Sequence, residues 1–302
     1  MKKQSYVLNG EFVINKRVLR AFFRLIRLDY ALFSAFGIFL SGLLAGDLIG
    51  FQIEYLVAFL VVFFSAIGAF AFNDYFDFDA DKINKRSDRP LVLGLLSGKL
   101  ALIIGVFSFL FVILLSLFLN LFSMIVILLS LPLFYLYSLG LEKIVFVKNI
   151  LVGYAYLATI FIGSLVIDST LEPLIIYFAV MGFIVGLAFE IMLDIGDVKG
   201  DKTLRVETIA AKLGVKRAAK ISIGLFAAIM ILDILPFFVL IDPRLYTDYA
   251  FLFLILIPVI SYFSIAKSLM NDQSKSKIFQ LKKRVIFTML MGSAAYLIGV
   301  LF

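Results

Sequence analysis

Between Leu100 and Gly140 the chain carries no charged residue at all. As one helix this run would be about 60 Å long, twice the roughly 30 Å hydrocarbon core of a bilayer. It therefore predicts two membrane-crossing helices folded back on each other, with a tight turn near Asn120. Apolar runs of similar length recur along the sequence. Together they predict nine spans, at 29–47, 55–73, 100–119, 121–139, 149–167, 174–193, 218–240, 249–269 and 280–302. Hydrophobic residues make up 63% of the 302, too many for a water-soluble surface to cover. The expected fold class is all-α, an integral membrane bundle of nine transmembrane helices.

The basic residues test that count. With nine spans, every Lys and Arg except Arg244 falls on the same side of the membrane, and Arg244 is flanked by Asp242 and Asp248. The positive-inside rule makes the crowded side cytoplasmic, so the N-terminus is expected inside and the C-terminus outside a cell membrane crossed many times. Ahead of the first span, Arg17, Arg20, Arg24 and Arg27 recur at helical spacing beside Leu19, Phe22, Phe23 and Ile26. Residues 1–27 thus suit a basic interfacial segment; the plainer alternative is an irregular leader that orients the first span. No cleavable signal is expected there, because a continuous apolar core with a small-residue cleavage site is missing.

Two copies of Asp-x-x-Asp-x-x-x-Asp end apolar stretches on the cytoplasmic side: Asp74, Asp77 and Asp81 after span two, and Asp194, Asp197 and Asp201 after span six. At about 100° per residue the three positions of a copy lie within about 60° on a helix, one cluster of negative charge each. Lys82, Arg86 and Arg89 follow the first copy, Lys202 and Arg205 the second. Equal placement in the chain suggests an internally duplicated bundle in a single membrane-embedded domain over 1–302. Its active site is expected at the cytoplasmic side, with 74–99 and 194–217 as Asp-rich loops.

The chain has neither His nor Cys, which removes the usual transition-metal ligands and the default general base. Carboxylates remain, and they suit a hard cation such as Mg2+. A diphosphate cannot approach six carboxylates unless cations intervene. Two facing clusters could hold such ions, neutralise a departing diphosphate with help from the nearby Lys and Arg, and let an allylic carbon–oxygen bond ionise. The bland alternative is a set of solvated acidic markers paired with their basic neighbours. A pair of copies facing one compartment argues against it, as does the cost of carboxylates at helix C-termini.

The stretch Asn73-Asp74-Tyr75-Phe76-Asp77-Phe78-Asp79-Ala80-Asp81, followed by Lys85-Arg86 and Arg89-Pro90-Leu91, resembles the first signature of the UbiA superfamily of intramembrane prenyltransferases. Asp194-Ile195-Gly196-Asp197-Val198-Lys199-Gly200-Asp201 resembles its second, in the expected order and after the expected span. The resemblance implies transfer of a prenyl group, through an allylic carbocation, from a polyprenyl diphosphate bound by Mg2+ to a lipophilic or amphipathic acceptor. The prenyl tail would lie in an apolar cavity open sideways to lipid. Asn73, Asp74, Asp77, Asp81, Asp194, Asp197 and Asp201 match the metal-binding motifs. Tyr137-Ser138, Lys143, Lys148 and Asn149 look like the loop after span four whose basic residues and Asn contact the diphosphate. The run Leu91-Val92-Leu93-Gly94-Leu95-Leu96 departs from the family pattern beyond Pro90.

Glu190 lies one turn deeper than Asp194 on the same face, as a ligand support or a base near the acceptor, or else as a partner of a neighbouring helix. Arg27 either reaches phosphate or marks the entrance to span one. Asp233, beside Pro236 and nearer the outer side, is expected either as a hydrogen-bonded group at a kink or as one that snorkels to the outer interface. The 34 Phe could line the prenyl tunnel and face a developing cation, although none is assignable singly. The expected acceptor is an aromatic quinone precursor or an archaeal glycerol-phosphate lipid; the expected partners are the two substrates and the lipid bilayer, with no nucleic acid. Two competing readings are weaker. A cation-coupled transporter would hold its acids near mid-membrane on broken helices, and a nucleotide-dependent phospholipid synthase would carry a D-G-x-x-A-R signature that is missing.

Overall fold

The computed structural model describes residues 16–50, 52–83, 86–204 and 206–302. Among the described residues every regular element is helical, as the bilayer demands of a chain that must satisfy its own backbone polar groups. Among the described residues nine helices are long and apolar enough to cross a membrane. They are α2 (Leu28–Ala45), α3 (Ile53–Phe76), α5 (Gly98–Ser116), α6 (Leu121–Leu139), α7 (Val147–Leu165), α8 (Pro173–Leu204), α10 (Val215–Phe238), α11 (Tyr249–Asn271) and α12 (Lys275–Leu301). Three short helices flank them: α1 (Lys16–Leu25), α4 (Phe78–Ile83) and α9 (Ile209–Leu213), with a 3-10 turn over Leu141–Lys143.

The turn expected at Asn120 is there, and its chemistry is visible. The Asn120 side chain accepts from the Ser123 amide to cap α6, and donates to the carbonyls of Leu165 and Asp168 at the end of α7. One Asn thus starts a span and ties it to the next hairpin. α1 forms over part of the basic segment, ending before Arg27, which takes a left-handed backbone (φ 44°) and redirects the chain into α2. The rest of that segment, residues 1–15, lies outside the described residues.

One expectation needs correcting. The acidic segment from 194 onward is not a loop: α8 runs without interruption from Pro173 to Leu204, and all three of Asp194, Asp197 and Asp201 are helical. At about 48 Å it exceeds the hydrocarbon core, so its last turns project beyond the apolar region with Asp197 and Asp201 on them. The first copy is also largely helical, but it breaks at Asp77, which caps α3 before α4 begins.

The helices that carry the clusters hold corresponding places: α3 packs between α2 and α5, and α8 between α7 and α10. Close approach depends on Gly at crossing points. A Cβ on Gly163 of α7 would meet the Ile38 carbonyl of α2 at 2.7 Å, and one on Gly186 of α8 would meet the Gly153 Cα of α7 at 3.0 Å.

Candidate active site

Between the two halves lies a cavity of 2580 Å³. At one end it is lined by Asn73, Asp77 and Asp81 from the first cluster and by Asp197 and Asp201 from the second, so the two acidic motifs share one space. From there it runs into an apolar interior walled by Phe33, Phe36, Phe70, Phe134, Phe178 and Phe189. Some of the rings that sequence reading left unassigned are therefore placed.

Within each cluster the first Asp behaves differently from the others. Asp74 is buried at 2% exposure, and its Oδ1 lies 3.1 Å from Arg27 Nη2 and 2.6 Å from Arg89 Nη1. Asp194 is buried at 1%, accepting from Lys148 Nζ at 2.7 Å and from Asn149 Nδ2 at 3.0 Å. Neither lines the cavity. Both are expected as metal ligands from the spacing; the structure gives them cations of the protein's own instead, because a carboxylate withdrawn into the bundle needs a fixed counter-charge. Asp74 keeps one buried oxygen, Oδ2, with no hydrogen-bond partner.

The clasp is built twice in the same way. In each half a cation at the start of the first span holds the first motif Asp at the end of the second: Arg27 before α2 with Asp74 on α3, and Lys148 in the first turn of α7 with Asp194 on α8. Both spans begin after a non-Gly residue in the left-handed region, Arg27 at φ 44° and Phe146 at φ 66°. Such backbones cost on the order of 1–3 kcal/mol each and are held only where the surroundings dictate them. Here they aim the clasping cations.

Around the clasps the remaining side chains form one network. Asn73 accepts from Arg27 and donates to Asp77 Oδ2 at 2.7 Å and to Glu142 Oε2 at 3.1 Å. Arg89 Nε sits 3.1 Å from Asp81 Oδ2, so Arg89 bridges Asp74 and Asp81. Lys148 Nζ reaches Glu190 Oε1 at 2.9 Å as well as Asp194, and Glu190 lines the cavity. Arg86 makes a two-point pair with Asp88, and the second cluster's Asp197 also favours its charged form. Burial pushes the carboxyls of Asp81 and Asp201 upward, opposed by Arg89 and Arg86 at Asp81 and by Lys148 at Asp201. Burial lowers the Arg27 guanidinium, reinforced by Arg89.

Other expected site residues divide cleanly. Tyr137, Lys143, Lys148, Arg27, Arg86 and Arg89 line the cavity, while Asn149 stands behind it on Asp194. Lys82 and Lys202 are exposed and do not line it; Lys82 lies against the Phe78 ring, where its helix turns it outward. Arg205 lies outside the described residues. Glu142 was not expected at all. It lines the cavity on the 3-10 turn, and burial together with the Asp77 carboxylate pushes its carboxyl up to about 8. Its only sequence signal is its place beside Lys143 in the short loop after the fourth span. Asp233 departs from its expected role: it is 3% exposed, lines the deep part of the cavity, and its Oδ2 has no hydrogen-bond partner.

The donor set fits a hard cation. Asp77, Asp81, Asp197 and Asp201 offer oxygen ligands to the cavity, with no imidazole or thiolate nearby. Among the described residues no three carboxylates converge into a cage of their own. That suits an ion which takes one or two carboxylates and completes its shell with water and phosphate oxygens. The transporter reading is not supported, because the acids gather at one end of α3 and α8, which are unbroken across the hydrocarbon region.

Known proteins share this architecture. A digeranylgeranylglyceryl phosphate synthase of Archaeoglobus fulgidus is 28% identical over 288 residues, covering 94% of this chain and 96% of that protein. One from Sulfurisphaera tokodaii is 29% identical over 278 residues, covering 90% and 98%. Among solved structures, one described as giving insight into digeranylgeranylglyceryl phosphate synthase in membranes superposes with a TM-score of 0.74, at 24% identity over 94% of this chain and 98% of that one. A UbiA homolog from Archaeoglobus fulgidus bound to DMAPP and Mg2+ superposes with a TM-score of 0.68, at 18% identity over 91% and 99%. The model of the UbiA prenyltransferase family matches residues 31–296, from the first span to the ninth and across both acidic motifs. The chain belongs to the UbiA prenyltransferase family.

Proposed function

We propose that this prenyltransferase moves a polyprenyl group from its diphosphate to a hydroxyl of an archaeal-type glycerol-phosphate lipid, with Mg2+ as cofactor. The observation that carries the reading is the single cavity that is acidic at one end, where both motifs meet, and apolar through the rest. A diphosphate with a long hydrocarbon tail has that same division. The choice of acceptor over an aromatic quinone precursor is supported by the full-length relatives, which are named as digeranylgeranylglyceryl phosphate synthases. The proposed setting is a cell membrane with the acidic end and the N-terminus on the cytoplasmic side.

Asp77, Asp81, Asp197 and Asp201 would hold Mg2+, with Asn73 supporting Asp77. When bound, the metal neutralises charge on the departing diphosphate. The chain's own residues do the remaining work. Lys143 and Arg86 present positive charge to the diphosphate end, and the Tyr137 side chain faces the same space. Arg27 and Arg89 fix the first cluster, and Lys148 the second, by binding the buried Asp of each. Phe70, Phe134 and Phe189 line the cavity and would exclude water around the allylic carbon. Glu190, held by Lys148 beside the apolar region, is placed to receive the proton that the acceptor hydroxyl loses on alkylation.

The test is incubation of the purified protein with Mg2+, labelled prenyl diphosphates of several lengths and a panel of acceptors, with products identified by mass spectrometry. A labelled ether on the glycerol-phosphate lipid is expected. Label found only on aromatic acids, or on none of the acceptors, contradicts the reading.

A further inference from the structure

Cations at the diphosphate end of the cavity are mostly committed. Arg27 pairs with Asp74, Arg89 with Asp74 and Asp81, Arg86 with Asp88, and Lys148 with Glu190 and Asp194. Lys143 adjoins Glu142 there and acts on its charge. Three more cations line the same cavity and have no carboxylate within ion-pair distance among the described residues: Arg20 and Arg24 on α1, and Lys282 on α12. Asp29 of α2 also lines the cavity and forms no ion pair with any of them.

Their placement is specific. Arg20 and Arg24 are four residues apart on α1 and so share a face. The Lys282 ammonium lies 5.1 Å from the centre of the Tyr30 ring near the start of α2. Tyr30 meets Phe70 edge to face at 6.5 Å, and the Arg27 guanidinium stands 4.6 Å over the Phe70 ring. A continuous row of side chains therefore links Lys282 with the first acidic motif. Phe23, Phe33, Leu290 and Leu297 line the same cavity, so it offers apolar surface as well as these charges.

An aromatic acid would answer the charges but leave the apolar lining unfilled. An anionic head on a hydrocarbon chain would match both parts. A second anion also cannot share the diphosphate's cations, since like charges a few ångströms apart in a low-dielectric cavity repel strongly; it needs its own set.

We infer that Arg20, Arg24 and Lys282 form a headgroup subsite, separate from the diphosphate site, that binds the phosphate monoester of the lipid acceptor. The inference rests on the reading of the acceptor as a glycerol-phosphate lipid and assigns its phosphate to named residues. Its chain lies along the apolar lining and its hydroxyl is presented toward Glu190, which lines the same cavity. Two of the three cations are exposed and the third is half-buried, so their removal leaves the bundle core untouched.

The test compares two acceptors, the glycerol-phosphate monoether and the same lipid with its phosphate removed, in zwitterionic nanodiscs with saturating prenyl diphosphate. Arg20→Gln, Arg24→Gln and Lys282→Gln are made singly and together. In the triple variant the ratio of kcat/KM for the phosphorylated over the phosphate-free acceptor is expected to fall about tenfold or more, through KM rather than kcat. An unchanged ratio, or equal losses for both acceptors, overturns the subsite. So does an effect that arises only when anionic bilayer lipids are added, which would assign the cations to the bulk membrane. A wild-type protein with no preference for the phosphorylated lipid instead rejects the acceptor reading itself, and the subsite falls with it.

Discussion

Asp74 and Asp194 share a residue type with their motif partners but not a role. They are sealed into the bundle on Arg27, Arg89 and Lys148, whereas Asp77, Asp81, Asp197 and Asp201 line the cavity, Asp81 beside Arg89 and Asp197 beside Lys275. Stability and activity should therefore separate by position. Lys148→Met leaves the fully buried Asp194 carboxylate, and Glu190, without their cation, and should cost about 3 kcal/mol or more. Thermal unfolding of the detergent-solubilised protein should show a clear drop in Tm for this variant, while Lys202→Met, on an exposed residue outside the cavity, should not move it. Spacing made the acidic clusters legible in the sequence. It could not separate clasped from open carboxylates, because Arg27 and Lys148 lie 47 and 46 positions away from the Asp they hold. Glu142 was missed for a similar reason: one acid in a short loop has no periodicity, and only folding brings it to Asn73.

At the scale of elements, apolar length decided most of the result. All nine expected spans correspond to helices, with boundaries differing by a few residues, because hydrocarbon thickness and backbone satisfaction leave few alternatives. The extent of α8 was less legible: polar residues at 194–204 read as a loop, yet the helix continues because it can leave the membrane without breaking its hydrogen bonds. Helix packing was not legible either, since a Gly in an apolar run gives no sign of what it faces. Two glycines now make opposite predictions. Gly163→Val would drive a side chain into the Ile38 carbonyl and should cost at least about 2 kcal/mol. Gly224 of α10 has open space around its missing Cβ, so Gly224→Ala should raise stability by up to about 1 kcal/mol. Tm values for the pair, against the parent protein, check both signs.

For the molecule as a whole, two half-bundles each bring an acidic helix end to one cavity, and each end is fixed by a cation from the start of its own half. Divalent cation and diphosphate should then stabilise the fold together far more than either does alone, since each supplies charge the other needs. Thermal unfolding with Mg2+, with a prenyl diphosphate, and with both should show a superadditive rise in Tm that chelation with EDTA reverses. Two additive increments would mean that the metal and the phosphate occupy separate places. The central claim, that both clusters grip one headgroup, is tested most directly by calorimetric titration of a non-ionising prenyl thiodiphosphate in Mg2+ into the wild type, Asp77→Asn and Asp197→Asn. The account predicts binding by the wild type and a loss of about tenfold or more in affinity from either substitution alone; wild-type affinity in one of the two variants would contradict it.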